Sequence, residues 1–267
     1  MRRSRLAGIV APLLLALGLG FTQAASAQAA SNSGGYVALG DSYASGVGAD
    51  DYISSSGDCD RSTNAAAYLW NAAHKPASFA FNACSGATTD DVLANQLGSL
   101  NSSTSLVSIS IGGNDAGFSS VMETCVLNSD STCLSAIANA KSYVTNTLPG
   151  KLDAVYNAIH SKAPNARVAV LGYPRFYLLG QVCLGLSDTK RSAINGAADT
   201  LDNAIQSRAA AHGFVFGDVR SAFSSHEICS SDSWLHSLNV LDLTESYHPT
   251  ADGQSGGYLP ALTSAAG

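Results

Sequence analysis

Apolar residues gather in five short runs, at 36–39, 79–81, 106–111, 167–171 and 214–216, each the length of a buried strand. Between them the spacing changes to three and four. Helices are expected over 65–73 and 91–97, and over 135–160 as one or two pieces with a break at Pro149-Gly150. The longest runs over 188–211, where Ile194, Ala198, Leu201, Ile205 and Ala209 make one apolar stripe. Strands that alternate with helices, and are apolar on both faces, predict a parallel sheet covered on each side. The expected fold is α/β: a single three-layer sandwich around a central, mainly parallel sheet of flavodoxin-like architecture.

The chain ahead of the first strand follows another pattern. Met1-Arg2-Arg3-Ser4-Arg5 precedes an apolar run over 6–21, and small residues fill 24–30. A basic start, a short glycine-containing apolar stretch and small-x-small exits predict a secretory signal peptide over 1–29. Ala25-Ser26-Ala27 and Ala27-Gln28-Ala29 both satisfy the cleavage pattern. Residues 30–267 are then one domain of roughly 240 residues, enough for one large core.

Charge and cysteine content narrow the partners. Lys and Arg total 14 against 20 Asp and Glu, and three of the arginines lie in the leader, so the remainder is acidic. That argues against nucleic acid and against attraction to anionic lipid surfaces. Six cysteines suit an oxidising compartment. Of the 15 possible pairings, the sequential one, Cys59–Cys84, Cys125–Cys133 and Cys183–Cys229, closes a local loop each time.

In open parallel sheets, ligands bind beyond the carboxyl ends of the strands. Ser42 lies three residues past Leu39, in Gly40-Asp41-Ser42-Tyr43. Gly86 follows the second run, and Asn114 follows the third after Gly112-Gly113. Ser108 and Ser110 lie inside a strand instead. A serine nucleophile needs a base, and six histidines are available. His74, His160 and His212 fall at helix ends, while His226 and His236 flank Cys229 and each can line a site. His248 precedes Pro249, where a loop stops and the last helix can begin. Acyl transfer further requires donors for the developing oxyanion, and the N–H groups of Ser42 and Gly86 with the Asn114 amide meet that need.

These blocks, Gly40-Asp41-Ser42-Tyr43, Gly86, Gly112-Gly113-Asn114-Asp115 and His248-Pro249-Thr250, resemble those of the Ser-Gly-Asn-His hydrolases, also called GDSL lipases and esterases. The wording around them is similar to the secreted lipase and phospholipase branch of filamentous actinobacteria. The resemblance runs from Tyr36 to Leu259 and implies Ser42 as nucleophile and His248 as base. It implies an oxyanion hole of Ser42, Gly86 and Asn114. Two positions depart from the family pattern. Tyr43 stands where the name has leucine, and Glu245 stands where the family commonly has aspartate. Some members orient the histidine with a backbone carbonyl, so the expected orienter is the Ser246 carbonyl, with Glu245 as the alternative.

The expected activity is hydrolysis of acylglycerols and related carboxylic esters through a serine acyl-enzyme, with phospholipase A1 activity as the alternative. The expected substrate is a lipid or other ester, met by a monomer that contacts lipid interfaces transiently. Phe118, Val121 and Met122, and Tyr173, Phe176, Tyr177, Leu178 and Leu179, are expected in loops that can line an acyl groove. A secreted carbohydrate-binding module is the competing class. No cofactor or metal is expected: Asp41, Asp90, Asp91 and Asp115 fall near strand ends without an accompanying ligand motif.

Overall fold

The computed structural model describes residues 34–240 and 242–267. The leader expected over 1–29 lies outside the described residues. Strands β1 (Gly35–Gly40), β2 (Ser78–Phe81), β3 (Thr104–Ser110), β4 (Arg167–Leu171) and β5 (Val215–Gly217) form one sheet in the order β2-β1-β3-β4-β5. Every pairing is parallel. β1 is buried along its whole length, which explains its unbroken apolar run.

Helices cover both faces. On one, α2 (Ala66–His74) and α8 (Leu259–Ala266) pack together, α8 also lying on β4 and β5. The other carries α6 (Leu148–Lys162) and α7 (Asp188–Ala211), with α4 (Phe118–Leu127) and α5 (Asp130–Asn146) layered outside α7. The short α1 (Ser42–Ser45) follows β1 directly, and α3 (Thr89–Asp91) continues as a wider helical turn to Gln96. Within the α7 stripe Ile194, Ala198, Ile205 and Ala209 are buried and Leu201 is half-buried. Ser187 caps its N-terminus by accepting from the Lys190 N–H, an arrangement worth about 1 kcal/mol.

Two expectations need correction. The interruption between α5 and α6 falls at Thr147, and Pro149 lies in the first turn of α6. There the missing N–H has no helical partner to lose, so proline is tolerated. Phe118, Val121 and Met122 lie on α4, not in a loop. The preceding glycines disguise its start, since Gly117 enters it in a left-handed conformation (φ +75°).

The strand order reverses direction between β1 and β3, so the crevice at that switch point opens at their carboxyl ends. Ser42 and Asn114 follow those two strands. Disulfides join Cys59 to Cys84, Cys125 to Cys133 and Cys183 to Cys229. The first ties the segment after α1 to the exit of β2. The last ties the loop after β4 to the chain that leads toward His248.

Candidate active site

Ser42 is the first residue of α1, and the peptide just before it is held hard. Gly40 has φ +123°, and a Cβ there would stand 2.2 Å from the Ser110 carbonyl oxygen. Only glycine fits. The buried Gln96 side chain pairs with both backbone groups of Gly40, accepting from its N–H at 2.7 Å and donating to its carbonyl at 2.9 Å. Asp41 caps α1 by accepting from the Tyr43 N–H at 3.0 Å and also accepts from the Tyr173 hydroxyl. Tyr173 in turn accepts from the Gly113 N–H at 3.2 Å. One carboxylate thus ties the exits of β1, β3 and β4 together. Burial pushes its pKa up to about 7, against the hydrogen bonds from Tyr173 and Tyr43, which favour the charged form.

His248 reaches the serine from the opposite direction, with Nε2 2.7 Å from Ser42 Oγ. Its backbone is set by a short antiparallel contact: the His236 N–H donates to the His248 carbonyl at 2.9 Å, and the Tyr247 N–H donates to the His236 carbonyl at 3.0 Å. Tyr247 is left-handed (φ +69°), a conformation costing about 1–3 kcal/mol that persists only where the surroundings hold it. Part of that hold comes from Tyr43, whose hydroxyl donates to the Tyr247 carbonyl at 2.7 Å. The hydroxyl gained where the family name has leucine therefore anchors the residue beside the histidine.

Burial drives the His248 pKa down to about 4, because a charged ring loses hydration there. The backbone oxygens of Ser246, Thr244 and Glu245 work in the opposite direction, Ser246 most strongly. None meets strict hydrogen-bond geometry with Nδ1. The Glu245 carboxylate is engaged elsewhere, accepting from the Tyr52 hydroxyl at 2.9 Å. Neutral at ordinary pH, the ring can take a proton from Ser42.

Gly86 and Asn114 line the same cavity as Ser42 and His248. Gly86 has φ +75°, and a Cβ there would meet no protein atom. Glycine is required by backbone conformation, and the open space is left to the cavity. The Asn114 amide donates to the Ala87 carbonyl at 3.0 Å, which fixes its rotamer and leaves its second hydrogen for a ligand.

The cavity has a volume of about 610 Å³ and extends from these polar groups along Phe118, Val121, Met122, Phe176 and Tyr247. Phe118 and Phe176 stack with centroids 5.1 Å apart. Asn195 of α7 holds the β4 exit loop by accepting from the Phe176 and Tyr177 N–H groups and donating to the Tyr177 carbonyl. Exposed Leu127, Leu238, Val240 and Leu243 extend the apolar lining to the mouth.

The other histidines are placed apart from the chemistry. His74 stacks on Trp70, His212 pairs with Asp153, and His226 stacks on Trp234. His236 supports the His248 segment and bonds the Gly48 carbonyl at 2.7 Å. Sequence reasoning misses the bridging of Asp41 and Tyr173, although Asp directly before a serine that opens a helix is a capping signal. Among the described residues no group of three or more His, Cys, Asp or Glu gathers in a metal-binding arrangement.

A flavodoxin-like sheet with a serine and a neutral histidine in contact at its switch point, beside backbone and amide donors, defines a serine-type ester hydrolase. The chain belongs to the GDSL-like lipase/acylhydrolase family, whose model matches residues 38–255. It is 65% identical to Lipase 1 of Streptomyces coelicolor, covering 100% of each chain. The crystal structure of phospholipase A1 from Streptomyces albidoflavus is 61% identical, with a TM-score of 0.86 over 87% of this chain and 99% of that one. The extracellular lipase of Streptomyces rimosus is 58% identical, with a TM-score of 0.85 over 87% of this chain and 99% of its own.

Proposed function

We propose that this protein is a secreted lipase or esterase that releases fatty acids from acylglycerols and related esters through an acyl-enzyme on Ser42. The observation that carries the reading is the 2.7 Å contact between Ser42 Oγ and His248 Nε2 at the head of the apolar cavity. In this mechanism Nε2 takes the Oγ proton as Oγ bonds to the ester carbon. The N–H groups of Ser42 and Gly86 and the Asn114 amide receive the negative oxygen. Collapse expels the alcohol, to which His248 returns the proton. Water then repeats the sequence on the acyl-enzyme. The Ser246 carbonyl orients the ring, a role supported by the engagement of the Glu245 carboxylate with Tyr52.

Residues 1–29 act in this reading as the secretory leader. Three disulfides and a similar protein described as extracellular support export. A second reading, phospholipase A1, is favoured by the 61% identity to an enzyme of that description. A panel of glycerides, phosphatidylcholine and aryl esters tests both readings, with Ser42→Ala as control. Glyceride turnover that is lost in a folded S42A protein is expected. Release of only the first-position acyl chain of phospholipid, with little glyceride turnover, selects the second reading. Near-normal turnover by folded S42A removes the nucleophile assignment.

A further inference from the structure

Gly86 separates two cavities of opposite character. On one side is the apolar cavity already described. On the other lies a groove of about 530 Å³ that shares Ser85 and Gly86 with it and is walled by Arg61, Asn82, Asp91 and Asn95. An ester held at Ser42 has two ends. Ser85 and Gly86 line both spaces, so an ester whose acyl chain lies along Phe118 and Phe176 has the groove open to its alcohol end past those two residues.

The groove carries one positive and one negative side chain, Arg61 and Asp91. Arg61 forms no ion pair among the described residues, and its one side-chain hydrogen bond goes from Nη1 to the Ala83 carbonyl at 3.3 Å. Its remaining guanidinium donors are left for a ligand. In a chain with 20 acidic and 14 basic residues, most cations outside the leader are occupied by carboxylates. Lys151, Arg175, Lys190, Arg191, Arg208 and Arg220 all have such partners.

The placement is also built. The Cys59–Cys84 disulfide staples the Arg61 segment to the β2 exit, and the Ser85 N–H donates to the Cys59 carbonyl at 3.1 Å. The Arg61 carbonyl accepts from the Ile53 N–H at 2.7 Å. Asp91 is anchored by the Thr88 N–H and hydroxyl, at 2.8 and 2.6 Å, both to Oδ2. Those bonds hold its carboxyl below the usual range, so it stays charged.

We infer that this groove is the alcohol-side subsite and takes the zwitterionic head group of a glycerophospholipid, with the phosphodiester at Arg61 and the ammonium end toward Asp91. A guanidinium suits phosphate oxygens because it presents paired donors in one plane. The inference rests on the proposed acyl transfer at Ser42 and assigns that reaction a head-group determinant.

The test compares soluble dihexanoylphosphatidylcholine, dihexanoylglycerol and an aryl hexanoate, which share an acyl chain. Arg61→Gln is expected to lower kcat/KM on the phospholipid about tenfold, mainly through KM. The two uncharged esters should stay within about twofold, and Arg61→Lys should recover part of the loss because it keeps the charge. Glycerophosphocholine should compete with the glyceride on the wild-type enzyme, a measurement independent of how the variants fold. Equal losses on all three esters, no loss on any, or no competition by glycerophosphocholine would each overturn the head-group assignment while leaving Ser42 chemistry intact. A wild-type protein inactive on all three esters would overturn the underlying reading and this one with it.

Discussion

The floor of the active site and its rim are built on opposite terms. At the floor, Gly40, Asp41 and Tyr43 are held by buried partners from distant parts of the chain: Gln96, Tyr173 and the Tyr247 carbonyl. Gln254 adds another tie, donating to the Tyr43 carbonyl at 3.0 Å and accepting from the Ala66 N–H. At the rim, Val240 is 75% exposed, Leu127 70% and Leu243 68%. These side chains bury little surface in the folded protein, so their removal costs the fold little. The difference separates two tasks. Precision at Ser42 comes from polar ties that a low-dielectric setting makes costly to break. Grip on an apolar substrate is left to side chains that remain in water until the substrate arrives.

Breaking the floor should therefore cost turnover. Asn114→Ala, which removes a proposed oxyanion donor beside that floor, is expected to lower kcat by about 10²–10³-fold in a folded protein. Steady-state kinetics on a soluble aryl ester read this directly. A change confined to KM would make Asn114 a wall of the pocket.

The site is legible in the sequence where chemistry needs particular residues at strand exits. Ser42, Gly86, Asn114 and His248 lie far apart along the chain, and the structure brings all four to one cavity. The strand pattern is equally plain, because parallel strands buried on both faces leave continuous apolar runs. What stays hidden is carried by long-range pairing. Nothing in local periodicity marks Gln96 as the partner of Gly40, or Tyr173 as the partner of Asp41. Tyr173 lines the cavity, as the sequence suggests, but nothing in the sequence marks its hydroxyl as the bridge between Asp41 and Gly113. Helix α4 is hidden by the glycines before it, and the start of α6 by a proline that its first turn accepts.

A smaller effect is expected at Glu245. Its carboxylate faces Tyr52, so Glu245→Gln should reduce kcat by less than about tenfold, against the ~10⁴-fold loss that amidating the acid of a serine-protease triad brings. The pH profile sharpens this prediction. Burial favours neutral His248 and lowers its pKa to about 4, and the neutral ring is the proposed base. Activity of the free enzyme should therefore persist as pH falls through 6.5, the ordinary histidine value, and decline only as it approaches about 4. An acid limb at the ordinary histidine value or above, or a thousandfold loss in E245Q, would restore a carboxylate triad.

The smallest effect belongs to the rim. Val240→Ser with Leu243→Ser is expected to leave thermal stability and turnover of a soluble ester within about twofold, since these exposed groups bury little apolar area. Activity on emulsified glyceride should fall severalfold. Equal loss on both substrates would show that the loop shapes the reacting centre, erasing the contrast between floor and rim.

The central claim is that His248 activates Ser42, and covalent labelling with a serine-directed fluorophosphonate tests it most directly. Mass mapping of the adduct, with rates measured for the wild type, S42A and H248A, gives both identity and activation in one experiment. The account predicts a single adduct on Ser42, none in S42A, and labelling of H248A slowed by at least about 10²-fold, the lower range of general-base catalysis. An adduct on another residue, or a folded H248A labelled at the wild-type rate, would contradict it.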